Sequence, residues 1–123
     1  MIASGYVLHN LTADYRDRLY GEIWRALAPS GILINADKYA QEGEAHRQAL
    51  RWQLGLFFDV LGSHEKYDTL REWMLHYAED EAADRVIPEA DAMARLERLG
   101  FTNVAIVYRQ YMDAVLVARK PGA

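Results

Sequence analysis

Leu27-Ala28-Pro29-Ser30-Gly31-Ile32-Leu33-Ile34-Asn35-Ala36 is the stretch that decides the fold. No helix runs through it, because proline lacks an amide and clashes with the preceding turn, while glycine tolerates the left-handed backbone that ends helices. The apolar run after the break is short and almost unbroken, which predicts a strand covered on both faces, as in a parallel sheet. Upstream, Leu19, Ile23 and Leu27 recur every four residues, and Tyr20 and Trp24 widen the stripe, so an amphipathic helix precedes the break. Thr12 is placed to cap that helix through its hydroxyl, and Asp14 suits the positive end of the helix dipole. Before it, the apolar Met1 to Leu8 reads as a strand ending at His9-Asn10-Leu11-Thr12. Strand, helix, tight turn and strand make a βαβ unit with parallel strands and a right-handed crossover.

Beyond Ala36 the pattern turns helical from about Gln41 to Leu61, with Leu50, Leu54, Phe57, Phe58 and Leu61 on one side. Trp52, Leu56 and Val60 make its second half apolar nearly all round, which predicts burial from several directions or a partner. Gly62-Ser63 breaks it, and Ser63 is the expected cap of a second helix carrying Tyr67, Leu70, Met74 and Tyr77. The polar run Glu79 to Asp84 closes this helical pair, which occupies residues 41–84. Pro88 suits a first helical turn, Met93, Leu96 and Leu99 make an apolar stripe, and Gly100 ends that helix. Val104 to Tyr108 and Ala114 to Ala118 alternate as two strands, and a turn around Tyr111 to Asp113 is tight enough to make them antiparallel. The 123 residues therefore read as one α/β domain with an inserted helical pair.

Composition narrows the function. Hydrophobic residues are 51% and charged residues 26% of the chain, ordinary values for a globular domain. The net charge of −4 argues against a phosphate-backbone binder, which carries a basic face. The absence of cysteine excludes disulfides, thiolate zinc sites and cysteine nucleophiles. No signal-like or membrane-spanning stretch is visible, so a soluble, cytoplasmic protein without membrane contact is expected. Neither Gly-x-Gly nor Gly-x-Ser-x-Gly occurs. Glu72, His76 and Asp80 share a helix face at metal-ligand spacing, but without a His-Glu-x-x-His pattern the signal is poor and no metal ligand is assigned.

Four pieces in order carry a resemblance: Ser4-Gly5-Tyr6-Val7-Leu8-His9-Asn10-Leu11; a helix ending Trp24-Arg25-Ala26-Leu27-Ala28-Pro29-Ser30-Gly31; Ile32-Leu33-Ile34-Asn35-Ala36-Asp37; and Arg95-Leu96-Glu97-Arg98-Leu99-Gly100-Phe101 before a hairpin. Together they resemble the second half of a class I S-adenosylmethionine-dependent methyltransferase. Asn10 departs from the family's usual second histidine and Ser30 from its usual glycine. The resemblance implies part of a Rossmann-like sheet, strand order third, second, first, fourth, fifth, seventh, sixth, finishing in an antiparallel hairpin. It implies that Ser4, Gly5, Leu8 and His9 flank the cofactor S-adenosylmethionine, although His9 reads equally as a helix-entry residue bonded to backbone. It implies that Asp37, Lys38 and Tyr39 border a small-molecule acceptor. By the same resemblance Trp52, Phe57 and Phe58 form a lid, while Tyr111, with Tyr108 and Arg109, lies by the pocket; each aromatic also reads as plain core or hairpin surface. No catalytic residue is singled out.

In the family a glycine-rich turn and a ribose-binding acid belong to a segment that would precede Met1. The expectation is thus a truncated methyltransferase-like domain, incomplete as an isolated chain and without a cofactor grip of its own. Its Met1–Leu8 edge strand would be open, and open edges pair; a homodimer or a complementing chain is expected there. The alternatives are a non-catalytic dimerising or ligand-binding module, and a trimmed piece of an ordinary methyltransferase.

Overall fold

One four-stranded sheet organises the computed structural model, which describes residues 1–122. β1 (Ile2–Gly5) runs parallel to β2 (Ile32–Lys38), with α1 (Ala13–Ala26) crossing between them. β3 (Thr102–Gln110) and β4 (Asp113–Arg119) form the hairpin, and β4 rather than β3 lies antiparallel against β2. The order β1-β2-β4-β3 is the fourth, fifth, seventh, sixth arrangement that the resemblance implies. Lys38 pairs with Asp113, so the hairpin turn stands beside the carboxyl end of β2.

The core lies on one face of this sheet. Leu33, Asn35 and Asp37 of β2 alternate inward beside their cross-strand partners Ala118, Leu116 and Ala114, all buried. Tyr20, Ile23 and Leu27 at the end of α1, together with Ala92 and Leu96 of α4 (Glu89–Arg98), close over them. Each fully buried leucine here contributes roughly 1.5–3 kcal/mol of transfer free energy. Along β2 the opposite face, Ile32, Ile34, Ala36 and Lys38, is only half-buried, so the expected cover on both faces is one-sided. No helix among the described residues is long and apolar enough to cross a membrane.

Local backbone chemistry corrects several expectations. β1 stops at Gly5 instead of Leu8, because Tyr6 takes a left-handed backbone (φ 53°) and a 3-10 turn over Leu8–Asn10 follows. Thr12 does stand at the N-cap of α1, but its hydroxyl caps nothing; the Ala13 amide donates to the Asp84 carbonyl at 2.9 Å. Ser30, not Gly31, takes the left-handed turn (φ 62°). Gly31 is required for room instead, since a Cβ there would lie 2.7 Å from the Ala28 carbonyl oxygen.

The inserted pair also differs from its pattern. α2 (Gly43–Phe57) runs on through a π-helical segment, Phe58–Gly62, before α3 (Tyr67–Asp80). Ser63 does not cap α3; its hydroxyl donates to the Val60 carbonyl at 3.1 Å. Only Ala49 of α2 is fully buried, while Leu56, Phe58 and Val60 are exposed, so burial from several directions is not what the helix experiences. The pair meets the sheet at the hairpin turn, where Ala49 and Tyr77 enclose Met112 and Trp52 stacks on Tyr111 at 4.4 Å.

Candidate functional site

The carboxyl ends of β1 and β2 are where an open α/β sheet binds its ligands. Asp37 sits there with its side chain fully enclosed, and three groups converge on its carboxylate. Oδ2 accepts from the Leu8 amide (2.8 Å), Oδ1 accepts from the Lys38 amide (2.9 Å), and His9 Nδ1 lies 2.6 Å from Oδ1. A carboxylate oxygen without a proton can only accept, so His9 Nδ1 is the donor to an ionised Asp37, which leaves Nε2 as the ring nitrogen that Asp37 does not engage. The left-handed Tyr6 and the 3-10 turn are what carry His9 back over the end of β2. His9 therefore binds a carboxylate, not the backbone partner its sequence position also allowed.

Arg16 fixes this turn, and the sequence reading missed it. Arg16 is buried on the α1 stripe at positions 16, 20, 23 and 27. It donates to the carbonyls of Leu11 (2.5 Å), Arg85 (2.6 Å) and Val86 (2.9 Å). Burial pushes its guanidinium below its ordinary pKa, against the raising effect of Tyr20, Asp37, Asp17 and Asp84. The only sequence signal is a charged residue in register with an apolar stripe, and that spacing is equally met by a solvated arginine.

A second carboxylate faces the same crevice. Lys38 Nζ donates to Asp80 Oδ2 at 2.5 Å, binding the end of β2 to the end of α3. His9, Lys38, Asp80, Ile87 and Met112 line a space of only about 10 Å³, the size of one water. A larger cavity of about 310 Å³ opens elsewhere, between α1 and α4 beside Arg16, Asp17, Tyr20, Asp91 and Arg95. Burial there raises the Tyr20 hydroxyl to about 12.

The remaining anticipated residues scatter. Tyr39 is wholly enclosed, its hydroxyl accepting from Asn35 Nδ2 at 2.7 Å, and burial raises its pKa. Trp52 and Tyr111 stack on one another, while Phe57 packs against Trp73 and Tyr77 at 5.8 and 5.9 Å; none of these lines the crevice beside His9. Phe58 and Tyr108 are exposed. Arg109 donates to the Tyr111 and Tyr39 carbonyls and pairs with Glu89, so it holds the hairpin turn. Ser4 is half-buried, and Gly5 faces open space, with nothing within 4 Å of where a Cβ would stand.

S-adenosylmethionine has an adenosyl end and an amino-acid end to be gripped. Of the four residues the resemblance assigns to it, Leu8 and His9 are buried and the Leu8 amide is already spent on Asp37. Ser4 and Gly5 alone leave surface.

No protein-family model matches the chain, and no curated protein matches it. Solved structures do. Human N-acetylserotonin methyltransferase in complex with SAM is 16% identical with a TM-score of 0.63, over 97% of this chain and 28% of its own. PigF with SAH is 15% identical with a TM-score of 0.58, over 97% of this chain and 29% of its own. A protein from Bordetella parapertussis, described as a possible exported protein, is 24% identical with a TM-score of 0.60, over 98% of this chain and 38% of its own. The likeness shows the fold: the mixed α/β sheet of this chain superposes on part of each of these structures. The chain spans well under half the length of these structures.

Proposed function

We propose that this chain supplies the acceptor side of a methyl-transfer site, with His9 as the base that takes the acceptor's proton. The observation that carries the reading is the buried His9–Asp37 pair at 2.6 Å, at the ligand edge of a sheet shared with methyltransferases. Asp37 orients the ring and stabilises the imidazolium formed when Nε2 accepts a proton from a hydroxyl or amine, while the Leu8 and Lys38 amides hold the carboxylate still. The methyl donor, S-adenosylmethionine by likeness, supplies an electrophilic methyl group when bound, and residues outside this chain's described fold would grip it. By the resemblance, Ser4 and Gly5 would flank it.

His9 is 7% exposed, so an acceptor reaches it only when α3 lifts from the crevice. α3 is then a lid, hinged at the π-helical Phe58–Gly62 and latched by Lys38–Asp80. Edge pairing belongs to the same reading. Among the described residues β1 has a neighbour on one side only, and Tyr6 and Val7 beyond it are exposed, which supports a second copy or a complementing chain docking along Ile2–Gly5. A monomeric mass at micromolar concentration contradicts that docking.

Methyl transfer from radiolabelled S-adenosylmethionine to a panel of hydroxyl- and amine-bearing small molecules, measured with the chain in its native assembly, tests the function. Removal of a general base costs about 10²–10⁴-fold in turnover. His9→Ala should lose that much while donor affinity is unchanged; turnover equal to the unmodified protein's overturns the role.

A further inference from the structure

The last two turns of α3 bring His76 and Asp80 over the 3-10 turn that carries His9. A ring nitrogen of His9, a ring nitrogen of His76 and a carboxylate oxygen of Asp80 all lie within 4.8 Å of one another. The three come from opposite sides of the crevice, two from the inserted pair and one from the sheet edge. Glu72, which shares the helix spacing, is not among them.

We propose that His9, His76 and Asp80 bind a divalent transition metal, Zn²⁺ or Co²⁺, which caps the His9 nitrogen that Asp37 leaves free. Two imidazoles and one carboxylate form the borderline N/O set that zinc takes in three-ligand sites, with water at the fourth position; Mg²⁺ and Ca²⁺ want oxygen ligands. The second contact of His9 matches this chemistry. A metal-bound imidazole generally donates its other ring N–H to a carboxylate, and Asp37 already holds Nδ1 at 2.6 Å.

Two features set the cost. Tetrahedral ligands at about 2.1 Å from one metal stand about 3.4 Å apart. A pair at the 4.8 Å limit must therefore close by about 1.4 Å, and the exposed His76 is the one able to move. Its side chain is 46% exposed, and its nearest acidic atom, Asp80 Oδ2, is 3.8 Å away, too far for a hydrogen bond. The second feature is the Lys38 ammonium on Asp80, a cation that the metal must displace. Lys38 thus keeps the site for the metal weak and reversible. The inference stands on side-chain placement and does not need the methyl-transfer reading, although a metal on His9 would silence the proposed base.

Titration of the whole chain with Zn²⁺ by calorimetry and with Co²⁺ by visible absorption tests it. One equivalent should bind, with the intense visible band of tetrahedral Co²⁺. His76→Ala should weaken binding by about 10–100-fold, and Lys38→Met should tighten it by about tenfold. Both positions are at least partly exposed, far-ultraviolet dichroism checks that each variant is folded, and His64→Ala serves as the control that changes nothing. Binding that His76→Ala leaves intact, or an affinity for Mg²⁺ equal to that for Zn²⁺, overturns the site. So does the absence of any saturable binding in Lys38→Met.

Discussion

Asp37→Asn is the substitution that reports most on how the site is built. The carboxylate accepts from two backbone amides and one imidazole, using both oxygens. An asparagine keeps one oxygen. If it stays toward Lys38 and His9, the new NH₂ faces the Leu8 amide, donor against donor. One buried amide then loses its acceptor, at about 1–3 kcal/mol, and the bond to His9 loses its charge assistance, at about 1 kcal/mol. The sum is about 2–4 kcal/mol, or a fall in Tm of about 8–16 °C at roughly 4 °C per kcal/mol for a chain of this size. Urea unfolding followed by far-ultraviolet dichroism and tryptophan fluorescence measures it. Repeating the change in a His9→Phe background should reveal a coupling of about 1 kcal/mol or more between the two positions. A loss below about 0.5 kcal/mol, or one identical in both backgrounds, refutes the convergence of bonds on Asp37.

Other consequences follow from packing and burial. Gly31→Ala should destabilise by about 1–3 kcal/mol because its Cβ meets the Ala28 carbonyl and Leu27 Cδ2 at 2.7 and 2.9 Å. Gly55→Ala, inside α2 with open space around it, should stabilise by about 0.5–1 kcal/mol; equal signs for the two in urea melts would contradict this. Arg16→Met strips three backbone carbonyls of their donor and should cost about 2–4 kcal/mol, with amide exchange accelerated first in residues 8–12 and 84–87. Burial raises the hydroxyls of Tyr20 (to about 12), Tyr39 and Tyr77. A raised folded-state pKa means stability fully present below the ordinary value near 10 and lost as pH climbs through the folded values. The chain should therefore unfold in alkali only above about pH 10, with phenolate absorbance and loss of helix appearing together; free ionisation of all eight tyrosines near 10 in a folded chain would show that they are not buried.

Helix and strand placement was legible because the signals are local and redundant. The Pro29–Gly31 break, the 19-23-27 stripe and the alternation of 114–118 each point to one element, while the strand order came from the family resemblance. What escaped the sequence depends on geometry between distant segments. The left-handed Tyr6 that ends β1 early is a tyrosine where glycine or asparagine would have announced a turn. Arg16 in an apolar stripe reads as a solvated charge until the carbonyls of residues 85 and 86 arrive from the other end of the chain. Asp37 and His9 were each singled out in the sequence, and their pairing was not, because 28 positions separate them. Asp80 and His76 were seen at helix spacing without their third member, which the sheet edge provides. The apolar second half of α2 misled for the same reason: periodicity states which residues want cover, not whether this chain provides it.

Nitrogen-15 NMR of the imidazole rings tests the site chemistry most directly, because it reads which nitrogen of His9 holds the proton without requiring any substrate. At neutral pH in metal-free buffer, His9 should be the Nδ1–H tautomer, its Nε2 unprotonated, and Asp37→Asn should abolish that preference. A His9 ring protonated at Nε2 with a bare Nδ1, or one whose tautomer ignores Asp37→Asn, contradicts the claim that this pair is poised to accept a proton.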